Sequence, residues 1–177
     1  MIVESLPSSI TGRVEIDLAL EDDAWLEALP DARSAVELAG AAVLEHLCPG
    51  LHLSMAVVLT DDKAVRALND RWRRQDKATN VLSFPTEELV AGTRPSVPPG
   101  APAHLPIELG DVVLARETVL REASEAALPA RNHLCHLVVH GGLHLLGYDH
   151  EEDRQAEHME SLEVAVLAGL GIPNPYA

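Results

Sequence analysis

Three histidines follow one another closely in the segment HGGLHLLGYDH, which spans residues 140–150. His140 and His144 are one helical turn apart, so both imidazoles project from the same face of a helix. Gly147 can adopt the left-handed conformation that ends a helix, and that turn brings His150 back toward the same point. Three neutral imidazoles at about 2.0–2.1 Å from a zinc ion leave one open coordination position, as in catalytic zinc sites. The spacing therefore predicts one zinc ion bound by His140, His144 and His150.

A purely structural interpretation of the same segment is a buried helix whose core histidines are hydrogen-bonded. Two consecutive glycines, Gly141 and Gly142, argue against an ordinary helix, because each costs about 1 kcal/mol relative to alanine in a helix interior. Something must therefore approach the helix closely, either a metal-bound substrate or a packed neighbouring strand.

Two further histidines and an aspartate lie near this segment and are candidates for supporting roles. His133 and His136 precede His140 by seven and four residues, so they share its helix face. A core role is the better interpretation for His133, whereas His136 is a candidate for contact with a metal ligand or with substrate. A metal-ligand role is the weakest interpretation for both. Asp149 is expected to cap the following helix rather than to orient a histidine.

The spacing H-x-x-x-H-x-x-G-x-x-H also occurs in the metzincin zinc peptidases, in which a glutamate follows the first histidine and acts as general base. Here that position is Gly141, so peptide hydrolysis is disfavoured. Zinc by itself lowers the pKa of bound water to about 7, and such a nucleophile suits an ester or a phosphodiester. Cleavage of a phosphodiester also needs a cation opposite the developing negative charge, and arginine provides one bidentately.

The distribution of charge bears on any nucleic-acid substrate. The chain carries a formal net charge of −15, which opposes long-range attraction to nucleic acid. Five of its thirteen basic residues nevertheless lie within twelve positions and are called here the basic cluster: Arg66, Arg71, Arg73, Arg74 and Lys77. They form either an ordinary solvated helix face or a local patch that holds phosphate. If the substrate is RNA, we expect weak binding that depends on this cluster and falls steeply with added salt.

Length, cysteines and hydropathy limit the class of protein. A chain of 177 residues fits one domain, assigned to residues 1–177. Cys48 and Cys135 both lie in apolar helical patterns, and two buried thiols fit a reducing compartment. Residues 1–5 lack the pattern of a signal peptide, and no stretch approaches the roughly 20 apolar residues of a membrane span. These features predict a soluble, cytoplasmic protein.

Hydrophobic periodicity predicts that strands and helices interleave. Strands are predicted at 13–18, 51–59, 80–84 and 107–114. Helices are predicted at 31–47, from 61 onward, and at 115–127, 129–146 and 150–169. Residues 86–106 contain five prolines and predict an irregular loop insertion. The expected fold class is α/β (α+β): a small mixed four-stranded sheet surrounded by helices, with an antiparallel third and fourth strand.

Several other residues have more than one interpretation. Trp72 falls at helical spacing after Leu68, so we expect it in the core rather than as a stacking platform. Ser83 lacks a paired histidine in the sequence and is interpreted as structural. Glu108 and Asp111 flank the fourth strand, and both a surface charge and a water-orienting role stay open for them.

Two blocks of the chain resemble the YbeY family. Residues 140–150 follow its signature H-G-x-L-H-L-x-G-Y-D-H, with Gly142 in the variable position. The second block comprises Leu68-Asn69, Trp72-Arg73, Asp76-Lys77 and Thr79 to Pro85, and Leu109-Gly110-Asp111 resembles a third segment. The match runs from about Leu51 to His158. The chain departs from the family pattern at Trp72, where tyrosine is common, at Ala78, where proline is common, and in the insertion at 86–106.

The resemblance implies a bacterial, metal-dependent endoribonuclease specific for single-stranded RNA. Such an enzyme matures ribosomal RNA, notably the 3′ end of the small-subunit RNA, and acts in ribosome quality control. The implied partners are ribosomal RNA and the ribosome or its proteins, and the implied fold is a mixed four-stranded sheet with helices around it. The resemblance also implies zinc held by His140, His144 and His150, and a functional arginine at Arg73, which we expect to face the histidines across a cleft.

Two alternatives to the RNA hydrolase remain from the sequence. The metzincin-like spacing favours a metal hydrolase of another substrate class, such as a peptide or small ester, and Gly141 opposes it. The acidic charge favours a ribosome-associated factor in which zinc is mainly structural and RNA cleavage is weak or supplied by partners.

Overall fold

A four-stranded mixed sheet forms the centre of the structure, a computed structural model that describes residues 13–177. Its strands are β1 (Val14–Leu20), β2 (Leu53–Thr60), β3 (Val81–Pro85) and β4 (Ile107–Ala115). They lie in the order β1-β2-β4-β3, so β3 is an edge strand. The pairs β1–β2 and β2–β4 are parallel, whereas β3 and β4 are antiparallel. The predicted α/β class and the antiparallel pair are therefore confirmed.

In the described part of the chain six helices surround this sheet: α1 (Ala24–Ala28), α2 (Ala32–Leu47), α3 (Asp62–Arg73), α4 (Arg116–Glu125), α5 (Ala130–Leu145) and α6 (Asp153–Gly169). Five of them were predicted, with bounds that differ by at most three residues. Helix α1 was not predicted, because five residues are too few to show a periodic pattern. Trp25 anchors α1 in the core, where its indole nitrogen donates to the carbonyl oxygen of Thr60 at 2.9 Å.

The core is divided between the two faces of the sheet, because successive side chains of a strand point to opposite faces. The larger cluster joins the sheet to α2 and α5 and includes Met55 of β2 and Val43 of α2. A smaller cluster lies under α3 and comprises Val65, Leu82, Val113 and Ala115, with Phe84 packed against it. The larger cluster holds α5 against the sheet, and α5 is the helix that carries the histidines.

Trp72 contradicts the prediction that it belongs to the core. Its side chain is 62% exposed, on the last turn of α3. The small cluster under α3 reaches only as far as Phe84, whose ring meets that of Trp72 edge to face at 6.5 Å between centroids. Helical spacing placed Trp72 on the correct side of α3, but within residues 13–177 no further layer of structure covers it there.

The expectations for the 86–106 loop, the cysteines and a membrane span can be compared with the structure. Residues 86–106 contain no helix or strand, as predicted, and Cys48 and Cys135 are both buried as free thiols. Among residues 13–177, no helix has the length and apolar character to cross a membrane. The expectation that residues 1–5 are not a signal peptide lies outside the described residues, and the assignment of 1–177 to one domain stays a prediction.

Gly141 and Gly142 are explained by close packing against neighbouring elements. A Cβ atom on Gly141 would lie 2.6 Å from Cγ1 of Val112 in β4. A Cβ atom on Gly142 would lie 2.7 Å from Cγ1 of Val43 in α2. Of the two causes considered for these glycines, the structure shows the packed strand at Gly141 and a packed helix at Gly142. Gly141 therefore sets how closely α5 approaches the sheet, and Gly142 sets how closely it approaches α2.

Substituting Gly141→Ala is therefore expected to lower the free energy of unfolding by about 1–3 kcal/mol, as overpacking of a core does. Val112 is β-branched and held in a strand, so its methyl groups have little freedom to move aside. Urea denaturation measures the effect. The matched control is Gly169→Ala in α6, where a Cβ atom would meet nothing within 4 Å. We expect the control to be neutral or slightly stabilising, and equal effects of the two substitutions would contradict the packing argument.

Candidate metal centre

The three predicted histidines come together at the end of α5. His140 and His144 lie on its last two turns, and the chain then reverses at Gly147, whose φ of +89° is left-handed as predicted. The reversal brings His150 to the same place, so that one ring nitrogen of each histidine lies within 4.8 Å of the others. A Cβ atom on Gly147 would collide with the carbonyl group of Leu89, so glycine is required here for space as well as for conformation.

Hydrogen bonds determine which ring nitrogen of His140 and which of His144 is free to bind a metal ion. Nδ1 of His144 lies 2.9 Å from the carbonyl oxygen of Tyr148, which can only accept, so Nδ1 carries the proton. Nδ1 of His140 lies 2.5 Å from Oε1 of Glu163 and donates to it in the same way. In their neutral forms both rings therefore present an unprotonated Nε2, and the two Nε2 atoms are 3.1 Å apart. Two converging lone pairs repel each other unless a cation lies near them.

The pKa of His144 also favours the neutral ring. Burial of its side chain, followed by the positive charge of His140 and His150 when protonated, lowers this pKa to about 4. The ring of His144 is therefore uncharged at neutral pH, and a neutral imidazole is the form that binds a metal ion. This donor set suits a borderline cation such as Zn²⁺.

Glu163 of α6 is a site residue that the sequence analysis missed. It is only 1% exposed, and it accepts hydrogen bonds from His140, from Nε2 of His136 at 2.9 Å, and from the hydroxyl of Tyr176. Burial alone would raise its pKa, but these three hydrogen bonds outweigh burial and lower the pKa to about 2. The carboxylate is thus ionised and orients His140, in the manner of carboxylates behind metal-binding histidines.

A signal for Glu163 is present in the sequence. The buried face of α6 consists of Met159, Val166 and Leu167, and Glu163 occupies the same stripe at helical spacing. A charged residue in an apolar stripe is rarely buried unless it is paired. Glu163 was therefore open to detection as a buried, paired carboxylate.

The other histidines and Asp149 have definite positions. Glu163 accepts a hydrogen bond from His136 as well as from His140, so His136 lies near the candidate ligands. The role of His136 stays a prediction. Nε2 of His133 pairs with Glu122 at 2.8 Å, while its Nδ1 is buried without a partner among the described residues. The expectation that Asp149 caps α6 is wrong. Glu152 is the N-cap, and Asp149 instead accepts from the backbone nitrogen of His150 at 2.7 Å.

A cleft of about 510 Å³ opens beside the histidines and contains Arg73. Its walls come from the end of α3, from β3, from the start of the 86–106 loop and from the turn after α5. Arg73, Ser83, His144, His150 and Tyr148 are among its lining residues. The structure therefore places Arg73 on the same cleft as two of the candidate ligands, although 67 positions separate it from His140 in the sequence. Its catalytic role remains a prediction.

Some polar residues near the sheet are separated from this cleft. Glu108 and Asp111 line a different cavity, beside Asp17, so neither faces the histidines. Ser83 does line the cleft, and its hydroxyl donates to the carbonyl oxygen of Gly141 at 3.4 Å. That contact links the edge strand to α5 and agrees with the structural role expected for Ser83.

The basic cluster divides into paired and unpaired members. Arg66 forms a bidentate ion pair with Asp76, at 2.6 and 2.9 Å. The guanidinium group of Arg71 lies over the ring of Trp72, with 5.2 Å from its central carbon to the ring centroid. Within the part of the chain that the structure describes, Arg73 forms no ion pair. The exposed charge of Arg73 is thus available to a ligand in the cleft.

The substitution Glu163→Ala is expected to lower the free energy of unfolding by about 1–3 kcal/mol, because it leaves the hydrogen-bond donors around the buried carboxylate without an acceptor. Chemical denaturation in the presence of a chelator measures this contribution without any metal. Glu157→Ala, at an exposed position of the same helix, is the control and should change stability by less than about 0.5 kcal/mol. A loss for Glu163→Ala no larger than that of the control would show that the carboxylate does not hold the histidines.

Comparison with known proteins places this site in a family. The profile of the family described as endoribonuclease YbeY matches residues 22–171. A protein of that name from Azorhizobium caulinodans is 50% identical over 167 residues, covering 93% of this chain and 97% of its own length. Another, from Bradyrhizobium sp. (strain BTAi1), is 44% identical over 173 residues, with 97% and 96% covered. A solution structure of a Thermotoga maritima protein shares 23% identity and has a TM-score of 0.49, with 89% and 91% covered. The match over most of the chain and the identity to full-length relatives show that this chain belongs to the endoribonuclease YbeY family.

Proposed function

We propose that this chain is a zinc-dependent endoribonuclease that cleaves single-stranded RNA during the maturation of ribosomal RNA. Its relatives are named endoribonucleases, which supports RNA as the substrate and hydrolysis as the reaction. The observation that carries the proposal is the shared cleft, whose lining includes His144, His150 and Arg73.

The zinc ion is assigned to His140, His144 and His150. Three neutral nitrogen donors are typical of catalytic zinc, and the converging Nε2 atoms of His140 and His144 favour a cation between them. When bound, zinc would supply an activated water molecule at neutral pH. Glu163 and the carbonyl group of Tyr148 hold the proton on Nδ1 of the two helical histidines, which keeps each Nε2 available.

Arg73 is assigned the role of binding the scissile phosphate. The planar guanidinium group donates two parallel hydrogen bonds to phosphate oxygens, and its charge opposes the negative charge that develops during cleavage. Nothing in the segment 140–150 carries a permanent positive charge, so this task needs a residue from another element. The left-handed conformation of Arg74, with φ of +55°, ends α3 directly after Arg73, which lines the cleft.

The ribosome is the proposed setting for this activity, with the 3′ end of the small-subunit RNA as the site of cleavage, in the cytoplasm. The charge of the chain supports such an arrangement. A body of net charge −15 repels RNA at long range, so free RNA should bind weakly, and Glu88, Asp149 and Glu151 add negative charge to the walls of the cleft. A ribosome or ribosomal protein that positions the strand would overcome this weak affinity.

Purified protein is expected to bind one zinc ion per chain, and His144→Ala should lose most of it. Elemental analysis measures the metal content, and thermal denaturation with added zinc measures the linked gain in stability. A metal at 100 times its Kd stabilises the folded state by about 2.7 kcal/mol. His46→Ala, an exposed histidine at the end of α2, is the control and should keep the metal. Wild-type protein that takes up no metal on titration would refute the proposed centre.

Arg73→Lys is expected to reduce the rate of RNA cleavage by about 100-fold or more, because lysine keeps the charge and loses the bidentate geometry. Turnover of a defined single-stranded RNA is measured with zinc-loaded protein, alongside its metal content and unfolding free energy. Both of these should equal the wild-type values, since Arg73 contacts none of the histidines. Arg33→Ala, an exposed arginine on α2, is the control. Cleavage by Arg73→Lys at the wild-type rate would remove Arg73 from the reaction.

A further inference from the structure

The exposed ring of Trp72 is unusual in this protein. The chain has only five aromatic residues of the Phe, Trp and Tyr types, and Trp72 is the most exposed of them, at 62%. The other tryptophan, Trp25, is fully buried. Tryptophan and tyrosine are enriched at surfaces that bind a partner. Trp72 and Phe84, which meet edge to face, are called here the aromatic platform.

Several basic residues lie close to Trp72 in the sequence of an otherwise acidic protein. Arg71, Arg74 and Lys77 are exposed within five positions of Trp72, and the guanidinium group of Arg71 lies over its ring. Guanidinium groups and aromatic rings together are what proteins present to single-stranded nucleic acids, where bases stack and phosphates bind cations. The chemistry of this surface is therefore complementary to RNA.

The aromatic platform is continuous with the cleft. Arg73 directly follows Trp72 on α3, and Ser83 directly precedes Phe84 on β3; both Arg73 and Ser83 line the cleft. Because β3 is the edge strand, no further strand separates the cleft on one face of the sheet from the platform on the other. A single strand of RNA can thus pass from Arg73 around the edge of β3 to Trp72.

We propose that the aromatic platform is a base-stacking subsite for single-stranded RNA, adjacent to the cleavage site. The proposal rests on the proposed function, and it adds a part of the surface that recognises the bases themselves. Arg73 contacts a backbone phosphate, and the ring of Trp72 stacks on a base of a neighbouring nucleotide. Such stacking tolerates any base, because every base has a π face, and it excludes a duplex, whose bases are already stacked.

The test measures binding of a short single-stranded RNA to three variants in a chelating buffer, so that cleavage does not occur. Trp72→Ala should weaken binding roughly 5- to 150-fold, the range that the loss of one stacked base represents. Trp72→Tyr keeps a stacking ring and should stay within about 3-fold of the wild type. Leu38→Ala, which removes another exposed hydrophobic side chain on α2, should have no effect.

Two further measurements separate stacking from charge. An oligonucleotide of equal length with abasic sugars should bind the wild type and Trp72→Ala equally, because it offers phosphates without bases. Single-stranded RNA should also quench tryptophan fluorescence in the wild type but not in Trp72→Ala, in which only the buried Trp25 remains. These spectra also report on folding, since Trp25 lies in the core.

Each outcome decides the proposal. The stacking subsite would be overturned if Trp72→Ala bound RNA as tightly as the wild type does and RNA did not quench the tryptophan fluorescence of the wild type. The proposed endoribonuclease activity would be unaffected by that result. Equal losses for normal and abasic RNA in Trp72→Ala would overturn it as well, because charge alone would then explain binding. If the zinc-loaded wild type neither cleaved nor bound RNA, the proposed function would be overturned together with the subsite.

Discussion

The hydrogen bond between Glu163 and His140 is the contact on which the arrangement of the site depends. It joins α6 to α5 through a carboxylate that is almost wholly buried, and the same carboxylate receives His136 and Tyr176. Burying an ionised carboxylate is costly unless donors surround it, so these donors and the carboxylate hold one another in place. The orientation of a histidine in the candidate centre is therefore determined by a helix and a C-terminal residue that take no direct part in it.

The position of α5 over the sheet is the second constraint. Gly141 and Gly142 allow the helix to lie directly against Val112 and Val43, and the consecutive turns that follow carry His144 and the reversal at Gly147. The histidines are therefore held by packing on the sheet side and by hydrogen bonds on the α6 side. A constellation held on both sides has little freedom to rearrange, which is the condition for a preorganised site.

Local sequence patterns predicted the structural features that depend on residues close together in the sequence. Spacing alone predicted that His140, His144 and His150 come together, as the structure shows. The positive φ of Gly147 agrees with the predicted turn. Alternation located β1 and β2, because successive side chains of a strand point to opposite faces of the sheet. The long-range contacts were less accessible. Trp72 was assigned to the core because periodicity shows which side of a helix a residue faces but not where the covering layer ends.

Glu163 and Asp149 also show that local sequence patterns do not predict contacts between distant elements. The role of Glu163 depends on α6 lying beside α5, a tertiary arrangement that spacing within one helix does not contain. Asp149 was expected to cap a helix that in fact begins at Asp153, because the reversal after α5 uses more residues than the periodic pattern indicates. In both cases the missing information was the path of the chain between elements.

The close contact between Gly147 and Leu89 divides the proline-rich loop into two parts with different tolerance of change. Its first residues, including Glu88 and Leu89, form a wall of the cleft and press against the turn that carries His150. Farther along, Arg94 donates to the carbonyl oxygen of Pro49 at 2.9 Å and Pro95 is buried, after which residues 96–105 are exposed. Doubling the length of a flexible loop costs only about 0.6 kcal/mol, so insertions or deletions are inexpensive in that distal stretch. Variation in length among relatives is thus expected to concentrate after Pro95, whereas the stretch before it is constrained by its contact with the turn that carries His150.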